Sequence, residues 1–130
     1  MKTIQVVAGI VIHQDKILCV QRGLNKYNYI SHKWEFPGGK VEPGETEEEG
    51  VQRELLEELN LQVRDLSHYI TIEHSYPDFH LVMHCYLCHC DNTKLELTEH
   101  IAFKWLAKDE LGNLDWAQAD WPIVEKLKSL

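Results

Sequence analysis

The stretch from Thr46 to Asn60 constrains this chain more than any other, because it carries its own start and its own stop. Thr46 is a good N-cap, and Glu49 three residues later completes a capping box, in which each side chain binds the other's backbone N–H. Pro43-Gly44 supplies the turn before it. Glu47, Glu48 and Glu49 suit the positive end of a helix dipole, and Asn60 tolerates the left-handed backbone that ends a helix. The predicted helix has two unlike faces. Leu55, Leu56 and Leu59 are set to meet a core, while Glu54, Glu57 and Glu58 fall within roughly a 100° arc. Like charges at that spacing repel one another along a helix. Spacing alone favours a plain solvated acidic face, yet it also fits a set of oxygen ligands for Mg2+ or Mn2+, ions that bridge to phosphate.

Around this helix the chain alternates between strand-like and turn-like stretches. Residues 3–12 are apolar on both faces and read as a strand covered on both sides. His13 to Lys16 is a turn into a second strand at 17–21. Residues 23–33 read as a loop, and Trp34-Glu35-Phe36 as a short strand that ends at Pro37-Gly38-Gly39. Two longer strands, 63–75 and 79–90, meet at Tyr76-Pro77-Asp78, and 101–106 is another. A helical turn is predicted at 109–111 and a final helix from about Asp120, with Ile123, Val124 and Leu127 facing inward. These elements predict one α/β domain over residues 1–130, a sheet with a helix on each face.

A net charge of −8 argues against a nucleic-acid polymer as partner, since such domains carry a basic excess. A small anionic substrate stays compatible with that charge if metal ions supply the positive field. The apolar run at the start is short, lacks a small-residue cleavage site before Gln14-Asp15-Lys16, and no run is long enough to cross a bilayer. No membrane association and a cytoplasmic location are expected. Cys85-x-x-Cys88 has zinc-knuckle spacing, but on a strand the two thiols point to opposite faces. Buried or half-buried thiols are expected for the cysteines, without disulfides.

The residues flanking the acidic helix sharpen its meaning. Gly39, Glu45, Arg53, Glu54, Leu55, Glu57, Glu58 and Leu61 all match the spaced motif G-x5-E-x7-R-E-U-x-E-E-x-G-U, where U is a bulky aliphatic residue. Asn60 stands where the motif has its last glycine, and its tolerance of positive φ predicts that the helix stop survives. On these residues the chain resembles the Nudix hydrolases. Trp34 to Lys40, Tyr76-Pro77-Asp78 and Ala119 to Leu130 are similar to the MutT branch of that family.

The resemblance implies an α/β/α sandwich with a mixed β-sheet between helices. It implies an Mg2+-dependent enzyme, with Mn2+ as a substitute, that converts a nucleoside triphosphate and water to the monophosphate and pyrophosphate. Oxidised or modified nucleotides such as 8-oxo-dGTP, or cytosine nucleotides such as CTP, are the implied substrates, in nucleotide-pool sanitation and DNA repair. Carried over by position, Glu54, Glu57, Glu58, Glu99 and the Gly38 carbonyl hold metal, Glu54 also activates water, and Arg53 fixes a glutamate. Arg22 and Lys40 are candidate phosphate contacts, and Phe79 a candidate stacking partner for the base, as are Tyr76, Trp116 and Trp121. Asp120 has two expected roles: N-cap of the last helix, and reader of the base. An ionised carboxylate only accepts hydrogen bonds, which suits the exocyclic amino group of cytosine or adenine. Two other readings stay open, hydrolysis of ADP-ribose or a dinucleoside polyphosphate, and a non-catalytic nucleotide-binding module. The expected state is a monomer or homodimer.

Overall fold

Strand β1 (Lys2–His13) is the axis of the molecule, and the computed structural model describes it together with the rest of residues 1–130. Its alternating side chains serve two cores. Val7 and Val11 enter one, and Ala8 and Ile10 enter the other, all nearly without exposure. Gln14 and Asp15, both at positive φ, form the two-residue turn into β2 (Lys16–Gln21). β2 repeats the pattern, with Ile17 and Cys19 on one side and Leu18 and Val20 on the other.

The sheet has seven strands and is mixed. β3 (Trp34–Glu35) lies antiparallel to β2. β4 (Gly38–Gly39) pairs with Val7 and Ala8 of β1, so the glycines extend the sheet where a plain turn was expected. A side chain is impossible at Gly38, where a Cβ would stand 1.9 Å from the Val7 carbonyl oxygen. β5 (Arg64–Ser75) and β6 (Phe79–His89) form the predicted hairpin, and β6 runs parallel to β1 along its length. β7 (Ala102–Leu106) pairs with β2.

Helix α1 (Glu47–Leu59) has the predicted capping box, and Asn60 closes it at φ 51°, ψ 38°. Val51, Leu55 and Leu59 are buried in the core on that face of the sheet. Leu56 is 47% exposed, a correction to its predicted place in the core. The reason is angular: Val51, Leu55 and Leu59 lie within roughly 80° of one another, and Leu56 falls about 100° from Leu55, at the rim. Helix α2 (Trp121–Leu127) covers the opposite face through Ile123, Val124 and Leu127. The predicted helical turn is a longer 3-10 segment, Lys108–Asn113.

The cysteines follow the strand reading. Cys85 lies in the α2-side core and Cys88 in the α1-side core, and all four thiols are free and buried. Burial pushes the Cys19 and Cys88 thiols up to about 12, in line with packed, inert groups. No helix is long and apolar enough to cross a membrane.

Candidate active site

Arg53 organises the acidic face of α1. Its Nε donates to Glu45 Oε2 at 2.6 Å, Nη1 to Glu54 Oε1 at 3.0 Å and to Glu57 Oε2 at 3.2 Å, and Nη2 to the Lys40 carbonyl at 2.8 Å. These bonds hold the Glu45 carboxyl below the usual carboxylate range. One guanidinium thus fixes the loop before the helix and two glutamates on it.

The three helix glutamates are not equivalent. The side chain of Glu58 is 11% exposed, that of Glu54 16% and that of Glu57 59%. Glu58 lies nearest the buried stripe and Glu57 furthest from it. Glu54, Glu58, Glu99 and Gly38 line one polar pocket of about 320 Å³, together with Arg22, Glu35, Gly39 and His100. Glu57 lies outside that lining, held by Arg53. Gly39 is a close approach, since a Cβ there would meet the Glu54 carboxyl carbon at 2.6 Å.

Glu99 and His100 reach the pocket because the end of α1 anchors their loop. Glu96 N donates to the Leu59 carbonyl at 2.9 Å, and Thr98 donates to the Glu58 carbonyl through N (3.2 Å) and Oγ1 (2.9 Å). These bonds satisfy carbonyls that a helix terminus leaves open. Burial raises the Glu58 carboxyl well above its ordinary range, and the neighbouring Glu54, Glu99 and Glu35 carboxylates add to it.

That strain is the test of whether a dication fits. Glu54 and Glu58 offer oxygens packed where water screens them poorly, with the exposed Glu99 beside them, the chemistry that a hard cation relieves. No three His, Cys, Asp or Glu side chains form a ready-made metal cage. Mg2+ does not need one, because it takes one or two carboxylates and completes its shell with water and substrate phosphate.

A second cavity, about 280 Å³ and mainly apolar, adjoins the first. Arg22, Glu35, Gly38 and Gly39 line both. The sequence-predicted substrate residues Arg22, Lys40, Phe79 and Asp120 all line this cavity. Tyr76 closes it too, its hydroxyl accepting from Ala119 N at 2.9 Å and its ring stacked on Tyr29. Trp116 is instead a core residue, stacked on Phe36 and bonded to the Leu111 carbonyl, and Trp121 lies outside the lining.

Asp120 sits at the N-cap position of α2 but makes no capping hydrogen bond, which corrects one of its two expected roles. Its backbone is already helical, so the carboxylate does not turn back onto α2. Asp120 Oδ2 accepts from Phe36 N at 3.0 Å instead. Two bonds bring the segments together: Trp34 N to the Asp115 carbonyl and Ala117 N to the Trp34 carbonyl, both 2.9 Å. Burial raises the Asp120 carboxyl well above its ordinary range, Glu35 adds to this, and the Phe36 N–H and Arg22 oppose it.

Two polar residues of the site were not singled out from the sequence. Glu35 lies between two aromatic residues on a short strand, and His100 follows Glu99 directly. Those neighbours were the available signals, and neither is specific.

Comparison with known proteins gives a consistent result. The NUDIX domain family matches residues 3–127. The chain is similar to the 8-oxo-dGTP diphosphatase of Escherichia coli K12, 31% identical over 131 residues that span all of both chains. It is similar to the CTP pyrophosphohydrolase of the same organism, 34% identical, spanning all of this chain and 95% of that one. Its structure is similar to the solution structure of the E. coli ORF135 protein, with TM-score 0.81, 32% identity, and 100% and 91% of the two chains covered.

Proposed function

The chain belongs to the Nudix hydrolase family, and on that premise we propose that it is a divalent-metal-dependent pyrophosphohydrolase of nucleoside triphosphates. It takes (d)NTP and water to (d)NMP and pyrophosphate, with 8-oxo-dGTP or a cytosine nucleotide as substrate. One observation carries the reading: an apolar cavity lined in part by the buried Asp120 adjoins a carboxylate-lined pocket, across a shared wall of Arg22, Glu35 and Gly38-Gly39. A nucleotide has that same division into base and polyphosphate. The names of the two E. coli relatives support both candidate bases.

Glu54, Glu58, Glu99 and the Gly38 carbonyl would hold the metal, with Glu57 joining from the solvent side of α1. A bound Mg2+ or Mn2+ supplies charge neutralisation for the polyphosphate and makes water easier to deprotonate. Glu54 takes the proton of the attacking water, at a carboxylate whose Oε1 is already engaged by Arg53 Nη1. Arg22, on the wall shared by both cavities, and Lys40, on the apolar one, would bind the negative phosphate oxygens. Phe79 and Tyr76 wall the base, and Asp120 reads its edge. As an ionised acceptor it favours an amino group; protonated, as its burial favours, it also donates and imitates an amide. The domain spans residues 1–130 and works in the cytoplasm, where free cysteines persist.

The test is a product assay with Mg2+ against common, oxidised and methylated nucleoside triphosphates, ADP-ribose and dinucleoside polyphosphates. Monophosphate plus pyrophosphate is expected. AMP plus ribose phosphate would replace this reading with ADP-ribose hydrolysis, and no turnover with any metal would leave a nucleotide-binding module.

A further inference from the structure

His100 lines the carboxylate pocket and touches Glu35, a residue of the wall that both cavities share. Its side chain is 5% exposed. Nε2 lies 2.9 Å from Glu35 Oε2, and Glu35 Oε1 accepts from Arg22 Nε at 3.2 Å. On the other side of the ring, Nδ1 is 3.9 Å from Glu58 Oε2, and this buried nitrogen has no hydrogen-bond partner. The backbone is pinned on both flanks, by Thr98 on the end of α1 and by Ile101 N on the Gln21 carbonyl at 3.0 Å.

We infer that His100 is a positioning residue that couples the base cavity to the carboxylate pocket. Donation from Nε2 fixes the rotamer of Glu35 and so keeps Arg22 on the wall that both cavities share. The far edge of the same ring limits how far Glu58 swings from Glu54. An apolar residue would fill this space without stranding Nδ1 in the interior, a cost that packing alone gives no reason to bear. The imidazole spans two carboxylates, on β3 and on α1, that no backbone hydrogen bond joins. The inference rests on the proposed hydrolysis of a nucleoside triphosphate and assigns His100 no direct contact with the substrate.

The experiment compares wild type, His100→Ala, His100→Gln, Glu35→Gln and the His100→Ala/Glu35→Gln pair. kcat and KM are measured separately for 8-oxo-dGTP and dCTP, nucleoside monophosphate binding is measured by calorimetry without metal, and thermal melting reports the fold. His100→Ala is expected to lose about 10- to 100-fold in kcat/KM and to change the ratio between the two substrates. Gln can still donate to Glu35, so His100→Gln is expected to recover the ratio and the monophosphate affinity but not kcat. In the Glu35→Gln background, removing His100 should no longer move the ratio. A folded His100→Ala with wild-type kcat, KM and ratio overturns the inference, as do additive effects on the ratio in the cycle. If His100→Ala does not fold, His100→Gln decides, and wild-type kcat there overturns it. A wild-type protein that hydrolyses no triphosphate counts against the proposed function instead; metal-free monophosphate binding, weakened in His100→Ala and in Glu35→Gln but unchanged in His100→Gln, would still support the His100–Glu35 link.

Discussion

Asp120 and Phe36 meet across 84 positions of sequence, with Oδ2 of the carboxylate accepting from the Phe36 backbone N–H at 3.0 Å. The bond turns the side chain away from its own helix and leaves a buried acid in the lining of the apolar cavity. It makes one residue answerable both for stability and for the base.

Asp120→Asn keeps an acceptor for Phe36 N and removes the ionisation. The folded-state acid is raised well above its unfolded value near 3.8. From that value upward, the unfolded chain gives up the proton while the native state retains it, so stability falls as pH rises through the window. The variant should therefore melt higher than wild type at pH 7, with the gap closing below about pH 4. A gap independent of pH would sink this assignment. The kcat/KM ratio between dCTP and 8-oxo-dGTP should shift as well, and an unchanged ratio would remove Asp120 from base reading.

Neighbouring glycines separate fold from function. Gly38→Ala drives a Cβ into the Val7 carbonyl, which is backbone and part of the sheet. A loss of about 1–3 kcal/mol or more in denaturant unfolding is expected. At Gly39→Ala the nearest atoms are those of the Glu54 carboxyl, the end of a side chain. It should melt within a few degrees of wild type while losing kcat, about tenfold or more, because Glu54 is displaced. Equal effects of the two changes on stability would contradict this division.

Arg53→Lys retains the charge but not the fork that reaches Glu45, Glu54, Glu57 and the Lys40 carbonyl together. A drop of about 10- to 100-fold in kcat is expected, with a smaller change in KM. Steady-state kinetics at saturating Mg2+ check it; a KM effect alone would place Arg53 on the substrate.

Chelation should abolish turnover, and Mg2+ or Mn2+ should restore it. The melting temperature should rise with Mg2+ concentration even without nucleotide, because a cation relieves the crowding of Glu54, Glu58 and Glu99. Glu54→Gln should bind nucleotide yet lose about 10²-fold or more in kcat. Near-normal turnover by that variant would move the proton acceptor to another carboxylate.

Much of the frame was legible from local pattern. The capping box of α1, its stop at Asn60 and the alternation that splits Cys85 from Cys88 are properties of a few adjacent residues, and each appears as read. The misreadings occur where neighbours in space decide. Leu56 lies on the rim because the sheet meets only a narrow stripe of the helix. Gly38-Gly39 became a strand because β1 had a free stretch of edge beside them.

Sequence by itself determined the family, the acidic helix and the type of donor atom available, because motif spacing and side-chain chemistry are local. Only the tertiary structure decided how those donors divide. It buried Glu58, left Glu57 to Arg53, carried Glu99 and His100 in on the carbonyls at the end of α1, and seated Asp120 on Phe36. Each of those outcomes depends on hydrogen bonds or burial between segments far apart in the chain. No spacing along one stretch of sequence encodes such contacts.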